Sequence, residues 1–173
     1  MAAPRKPRVA ISACLAGEKV RYDGGDKRHD LLLESLGPLV EWIPVCPEVE
    51  LGLGVPREPI RLVGSPDAPR LMGELSGADH TEAMRRYADR RIGELAALGL
   101  HGWITKERSP SCGLHGAPVG AAREGAPGSA GAGLFVRLLR ERLPGLPIAN
   151  EEELEDPGAR RAFLARCLAL RGG

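Results

Sequence analysis

Aromatic residues are scarce in this chain: they make up only 3% of its 173 residues. Modules that bind unpaired nucleic acid stack the bases on aromatic side chains and follow the backbone with a basic groove. The charge is also balanced, with 24 Lys and Arg against 23 Asp and Glu, for a formal net charge of +1. We therefore expect no strong nucleic-acid binding, and any charged ligand has to be bound by local groups.

Long apolar segments are missing as well. A membrane-spanning helix needs about 20 apolar residues, and no stretch of the sequence approaches that length. The N-terminus has basic residues, then the short apolar run 9–13, then a cysteine, as bacterial lipoprotein signals do. That run is shorter than the roughly 7–15 apolar residues of a signal peptide. We expect a cytoplasmic protein without membrane association, in a compartment where thiols stay reduced.

The four cysteines form no C-x-x-C pair, so their spacing does not indicate a zinc ribbon or a thioredoxin-type motif. Cys14, Cys46 and Cys112 each follow a predicted strand and lie in a turn of small residues or proline. Any one of them alone is best explained as a buried, unreactive thiol. Three at three strand ends predict one shared site. Cys167 differs, because it lies among apolar residues of the last predicted helix and is expected to pack in the core.

The alternation of predicted strands and helices indicates an α/β fold. Apolar runs typical of buried parallel strands cover residues 9–13, 40–45 and 100–105. Apolar residues at helical spacing between and after these runs predict helices, the strongest one over residues 84–96. A single domain over residues 1–173 follows, with an open, mainly parallel sheet covered by helices on both faces. Ligands of such sheets bind beyond the carboxyl ends of the strands, where the three turn cysteines lie.

Several local features refine this expectation. Residues 60–63 and 70–72 predict a hairpin at an edge or in an insertion. Asp26 is predicted to cap the first helix. Residues 113–133 are rich in Gly and Ala and predict a long active-site loop with one short strand near Val119. The glycines of residues 128–133, just before a helix, are a weak indication of an anion site at its N-terminus.

Two kinds of metal site are compatible with the cysteines. Three thiolates without a fourth suit a cubane iron-sulfur cluster whose fourth iron is open to substrate. The alternative is a tetrahedral zinc site, for which Cys112-x-x-His115 offers a fourth ligand.

Charged residues beside the cysteine turns are candidates for catalysis and binding. Glu48 follows Cys46 by two residues in a turn-rich segment, so a general acid/base role stands level with that of a solvated loop carboxylate. Arg57 and Lys106 each flank a cysteine turn and are candidates to bind an anionic or carbonyl-bearing ligand. No pattern of a Ser-His-Asp triad is present. For the nearby serines, the alternative to a functional role is that they only cap turns: Ser12, Ser109 and Ser111.

Five blocks of the sequence resemble the iron-sulfur-dependent thiouracil desulfidases, a family long catalogued as a domain of unknown function. Together with the segments between them, the blocks cover nearly the whole chain. Residues 151–154 depart from the family pattern, because Glu-Glu-Glu-Leu stands where Glu-Glu-Gly-Arg-Leu is expected. In chain order the blocks are Ser12-Ala-Cys-Leu15, Val20-Arg-Tyr-Asp-Gly24, Val45-Cys-Pro-Glu-Val49, Gly52-Leu-Gly-Val-Pro-Arg-Glu-Pro-Ile60 and Ser109-Pro-Ser-Cys-Gly113.

The resemblance implies a Rossmann-like α/β fold that holds a 4Fe-4S cluster through Cys14, Cys46 and Cys112. It also implies a non-redox reaction on a thiolated pyrimidine such as 2-thiouracil. The substrate sulfur would bind the open iron, water assisted by Glu48 would attack the carbon, and uracil and sulfide would leave. Ser109 is similar to the family's substrate-contacting serine. We assign further substrate contacts to three residues beside the cysteine turns: Ser12, Arg57 and Lys106.

Two other classes of function stay open from the sequence. One is a zinc-binding hydrolase or zinc-stabilised fold. The other is a non-catalytic module that binds thiolated RNA or carries sulfur, although the neutral charge and few aromatic residues speak against strong RNA contact. The sequence is compatible with a monomer or a dimer.

Overall fold

A computed structural model describes residues 5–120 and 128–172 of the chain. Four of its strands form a parallel sheet in the order β2-β1-β5-β8. Their apolar residues explain their position, since strands covered on both faces read as nearly continuous apolar runs. The strands are β1 (Arg8–Ser12), β2 (Glu41–Val45), β5 (Leu100–Thr105) and β8 (Ile148–Asn150).

A second sheet contains the predicted hairpin. Its four strands are β3 (Ile60–Ser65), β4 (Ala68–Gly73), β6 (Ala117–Gly120) and β7 (Ser129–Gly131), in the order β4-β3-β6-β7. The pair β3 and β4 is antiparallel, as predicted, while β3 pairs with β6 in parallel and β6 with β7 in antiparallel. The hairpin is thus half of a separate sheet, because β6 and β7 extend it.

Helices connect the strands and cover the first sheet. They are α1 (Asp30–Leu36), α2 (Pro47–Glu50), α3 (Thr81–Ala97), α4 (Leu134–Arg142) and α5 (Pro157–Arg171), with a short 3-10 turn at Glu153–Glu155. The prediction for Asp26 was wrong: His29 precedes α1, and the Asp26 carboxylate accepts from the Arg28 backbone N–H, which forms a local turn. Within the described residues, no helix is both long and apolar enough to span a membrane.

The core has two main apolar clusters, one on each face of the first sheet. Successive side chains of β1 point to opposite faces of the sheet, so Val9 and Ile11 belong to one cluster and Ala10 to the other. One cluster includes residues of α1 and α5, among them Phe163. The other lies under α3, α4 and the second sheet, and its Trp103 packs against Phe135 with ring centroids 5.4 Å apart. The predicted α/β fold with helices on both faces of a parallel sheet is therefore confirmed.

The parallel register brings the important loops to one edge. Ser12 lies opposite Val45, and Thr105 lies opposite Asn150, at the carboxyl ends of their strands. The residues that follow these ends therefore emerge side by side, including Cys14 and Cys46.

Gly102 in β5 marks a close approach between the sheet and α5. A Cβ atom at this position would lie 2.5 Å from the Cys167 sulfur and 3.0 Å from the Phe163 ring. We expect Gly102→Ala to destabilise the fold by about 1–3 kcal/mol through overpacking. Adding Cys167→Ala should recover part of that loss, because it removes the nearest atom. Denaturant unfolding of both variants and of the double variant tests this, and strictly additive losses would contradict the proposed contact.

Candidate active site

A cavity of about 390 Å³ opens beyond the carboxyl ends of β1, β2 and β5. Its volume falls within the roughly 300–1,000 Å³ of ligand pockets, and its position is the one that parallel α/β sheets use for ligands. Its walls include all eight residues that the sequence assigned to catalysis, cluster binding or substrate contact: Ser12, Cys14, Cys46, Glu48, Arg57, Lys106, Ser109 and Cys112.

The three cysteines of the cavity influence one another electrostatically. Burial raises the pKa of Cys14 to about 11, and the nearby Cys46 adds to this rise. Burial also raises the pKa of Cys112 well above its usual value, again with contributions from Cys46 and Cys14. Thiolates gathered in this way need a cationic partner, such as a metal centre, to become stable.

Helix α2 explains why Cys46 and Glu48 face the same cavity. Cys46 is the single residue between β2 and the helix. Pro47 occupies the first helical position, and Glu48 lies in the first turn. Burial raises the pKa of Cys46, while hydrogen bonds from the backbone N–H groups of Val49 and Glu48 act to lower it. The short sequence Cys-Pro-Glu thus places a thiol and a carboxylate at one strand end.

The Glu48 carboxylate is tightly bound on both oxygens. Arg57 donates to its Oε2 from Nε at 3.0 Å and from Nη2 at 2.7 Å. Ser111 donates from Oγ to its Oε1 at 2.9 Å. The Arg57 Nη1 donates to the carbonyl oxygens of Val20 and Gly54, both at 2.9 Å. Arg57 therefore lines the cavity, as predicted for a substrate-binding residue, but most of its N–H groups bind within the protein.

Lys106 is held from two sides. Its backbone N–H donates to the Ser12 hydroxyl at 2.9 Å, and Ser12 is itself 3% exposed. Its Nζ donates to Glu151 Oε1 at 2.5 Å and to the Glu107 carbonyl oxygen at 3.0 Å. The other Glu151 oxygen accepts from the Glu107 backbone N–H at 2.7 Å. The loop 151–154, where the sequence departs from the family pattern, thus begins with a residue that supports the cavity wall.

Ser109 caps the turn that carries Cys112. Its Oγ accepts from the backbone N–H groups of Ser111 at 3.2 Å and Cys112 at 3.1 Å. Ser109 thus caps its turn and also belongs to the cavity wall, whereas the Ser111 hydroxyl donates to Glu48.

Glu107 is the important residue that the sequence did not reveal. It is only 5% exposed, and its carboxylate lies at the centre of the turn 108–116. Burial acts to raise its pKa, but hydrogen bonds from backbone N–H groups, that of Gly116 foremost, more than compensate and lower it. An acidic residue two positions after the end of a buried strand was the available signal. Its donors are the backbone N–H groups of Arg108, Leu114, His115 and Gly116 and the Asn150 side chain, at 2.5–3.3 Å.

Comparison with known proteins identifies the family. The sequence profile of the 2-thiouracil desulfurase family matches residues 9–151. This chain belongs to the 2-thiouracil desulfurase family. The solved structure of the [4Fe-4S]-dependent thiouracil desulfidase TudS is 34% identical and superposes with a TM-score of 0.72, covering 91% of this chain and 98% of that one. The uncharacterized protein YbbK of Bacillus subtilis (strain 168) is 29% identical over 156 residues, or 86% of this chain and 98% of that protein.

Family membership confirms the resemblance seen in the sequence blocks and the assignment of the chain to the desulfidase enzymes. The stretch that matches the 2-thiouracil desulfurase profile contains every cavity residue named above, together with Glu107 and Glu151. It ends at Glu151, so residues 152–154 lie beyond it.

Two expectations about this desulfurase site were wrong. His115 does not join the cysteines: it is 60% exposed and lies 3.2 Å from Glu153. The N-terminus of α4 is not an anion site, because its N–H groups at Leu134 and Phe135 donate to the Pro110 and Ser111 carbonyl oxygens. Residues 121–127 of the predicted active-site loop lie outside the described part of the chain.

Glu107→Gln tests the support of the cysteine turn. We expect the substitution to destabilise the protein by about 3 kcal/mol or more, since each hydrogen bond to a charged group contributes about 1.5–3 kcal/mol. That corresponds to a fall in Tm of about 6–12 °C for a domain of this size. Because folding lowers the pKa of Glu107, its contribution is complete above the unfolded pKa and is lost as the pH falls through the folded value. The gap in Tm between wild type and variant should therefore narrow under acidic conditions.

Glu58→Gln is the matched control for that measurement. Glu58 also accepts from a loop, through the Leu75 and Ser76 backbone N–H groups and the Ser76 hydroxyl, but it does so at the surface. Glu58→Gln should lower Tm much less than Glu107→Gln does, because water replaces the missing partner at the surface. Equal falls in Tm for the two variants would show that Glu107 has no special structural role.

Proposed function

We propose that this protein is a 4Fe-4S-dependent desulfidase that converts a thiolated pyrimidine, with 2-thiouracil as the reference substrate, into uracil and sulfide without net redox change. The observation that carries the proposal is the cavity itself. Three cysteines from three separate loops and one bound carboxylate line it, in a chain of the 2-thiouracil desulfurase family. The related TudS is described as [4Fe-4S]-dependent, which supports the same cofactor here.

The donor set fits such a cluster better than it fits zinc, because His115, the fourth ligand of the zinc alternative, is 60% exposed and lies 3.2 Å from Glu153. Across the two described segments, no group of three or more Cys, His, Asp or Glu side chains is placed to hold a single metal ion. Cys14, Cys46 and Cys112 would hold the cluster, while Cys167 is buried in the core on another side of the sheet. When bound, the cluster supplies a Lewis-acidic iron for the substrate sulfur.

Glu48 is the general base in this proposal. The reaction forms a bond between carbon and the oxygen of water and breaks the bond between carbon and sulfur, which leaves as sulfide with the protons of the water. No oxidant or reductant is needed. Its carboxylate lies 2.7 Å from the Arg57 guanidinium and would take a proton from the attacking water.

Lys106 and Ser109 are suited to hold the pyrimidine. Two of the three Lys106 ammonium hydrogens bind Glu151 and the Glu107 carbonyl oxygen, which leaves one for a ligand. The Ser109 hydroxyl accepts from two backbone N–H groups and keeps its own proton free to donate. Both groups therefore offer donors to a carbonyl or ring nitrogen of the substrate.

Anaerobic incubation of the iron-loaded protein with 2-thiouracil tests the function. We expect uracil and sulfide in equal amounts in the absence of any reductant. The protein purified without air should be brown, and a colourless protein with stoichiometric zinc and no iron uptake would favour the zinc alternative. Binding of thiolated RNA or of the cluster without turnover would favour the carrier alternative.

A further inference from the structure

The hydrogen bonds of Glu48 leave few positions on its carboxylate for a reacting water. A carboxylate has about four acceptor positions, two on each oxygen. Arg57 fills both positions of Oε2 with its Nε and Nη2 groups, at 3.0 and 2.7 Å. Ser111 fills one position of Oε1 at 2.9 Å. Counting the partners in residues 5–120 and 128–172, a single acceptor position therefore remains, on Oε1.

We propose that Ser111 and Arg57 are positioning residues that reserve this one position on Glu48 Oε1 for the attacking water. The inference rests on the proposed function of Glu48 as the base. It adds that Oε1 is the oxygen that takes the proton and that Ser111 and Arg57 hold the carboxylate in place. Neither residue needs to touch the substrate to have this effect, because both act through the Glu48 carboxylate.

The surroundings make this arrangement rigid. The Arg57 side chain is 6% exposed and the Glu48 side chain 14% exposed, so water competes little for their contacts. Ser111 is fully buried, and its carbonyl oxygen accepts from the backbone N–H groups of Phe135 and Val136 at the start of α4. At Gly133 a Cβ atom would lie 2.5 Å from that same oxygen. The Ser111 hydroxyl is thus fixed by the backbone and reaches across 63 sequence positions to Glu48.

Ser111→Ala removes the hydroxyl and opens a second position on Oε1. Water then has two places to bind, and only one of them faces the substrate. We expect kcat to fall by about 10–100-fold, the effect of a small misplacement of reacting groups. Three other quantities should stay at wild-type values. They are KM, the iron content per chain, and the affinity for 2-thiouracil as measured by the absorbance change on binding.

Arg57→Lys gives an independent arm of the test. Lysine keeps the positive charge but lacks the planar fork that donates twice to Oε2. We expect the same pattern, with a lower kcat and unchanged binding and iron content. Arg70→Lys is the matched control, since Arg70 donates to Asp79 Oδ2 from Nε at 3.1 Å and from Nη2 at 2.8 Å on the surface, outside the cavity. Its kcat should be unchanged.

A double-mutant cycle separates a positioning role from an independent one. If Ser111 acts through Glu48, adding Ser111→Ala to Glu48→Gln should change kcat by less than about 2-fold. Multiplying effects in the double variant, a rise in KM, or loss of iron in Ser111→Ala would each overturn the inference while the proposed function stands. Absence of turnover by the fully iron-loaded wild type would overturn the proposed function and the inference with it.

Discussion

Glu48→Gln is expected to lower kcat by about 10²–10⁴-fold, the usual contribution of a general acid or base. The amide keeps the size of the side chain and still accepts from Arg57 or Ser111, but it cannot take a proton from water. The three cysteines are unchanged, so the variant should assemble a full cluster. It should also bind 2-thiouracil, seen as a change in the absorption spectrum.

Steady-state turnover and iron content, measured on the same anaerobic preparation, decide the role of Glu48. Near-normal turnover in Glu48→Gln would eliminate this residue as the base. Loss of the iron would instead assign it to cluster binding. Glu58→Gln, which changes a surface carboxylate outside the cavity, is expected to keep full turnover.

Cys46→Ala is expected to abolish cluster assembly and with it all turnover. The proposed site has three thiolates and no spare one, since the fourth cysteine, Cys167, is 0% exposed and packs in the core cluster with Phe163. The wild type should take up about four irons per chain after anaerobic reconstitution, and Cys46→Ala close to none. Iron analysis of the two proteins measures this directly.

Cys167→Ala is the matched control for that loss. Cys167 lies outside the cavity and packs beside Phe163 in the core, where burial raises its pKa to about 12. Its removal should cost about 1 kcal/mol of stability and leave iron content and turnover intact. Equal losses of iron in Cys46→Ala and Cys167→Ala would contradict this division of the four cysteines.

The sequence was sufficient for the parts of the site that follow strands directly. The ends of β1 and β2 are marked by apolar runs, and parallel strands bring their carboxyl ends to one edge, so the meeting of Cys14 and Cys46 could be predicted. The turn of Cys112 was predictable from its serines, proline and glycine, because these residue types favour turns. These inferences need only local pattern and topology.

Side-chain pairings between distant segments were beyond the sequence. The bond between Ser111 and Glu48 and the salt bridge between Lys106 and Glu151 each join two loops, and no local pattern specifies them. Glu107 was missed because its donors are backbone N–H groups of a turn whose shape the side chain itself determines. The short strand predicted near Val119 is β6, but the second sheet was missed, because β7 has only three residues and the pairing of β6 with β3 joins distant segments.

The origin of the product oxygen tests the central claim most directly. The wild-type protein, loaded with iron, is incubated without air or reductant in water that carries a heavy oxygen isotope, and the uracil formed from 2-thiouracil is analysed by mass spectrometry. If water activated by Glu48 replaces the sulfur, every uracil should carry one heavy oxygen atom, while uracil added directly to the same mixture should stay unlabelled. Uracil formed without the label, or no uracil from fully iron-loaded protein, would contradict the account.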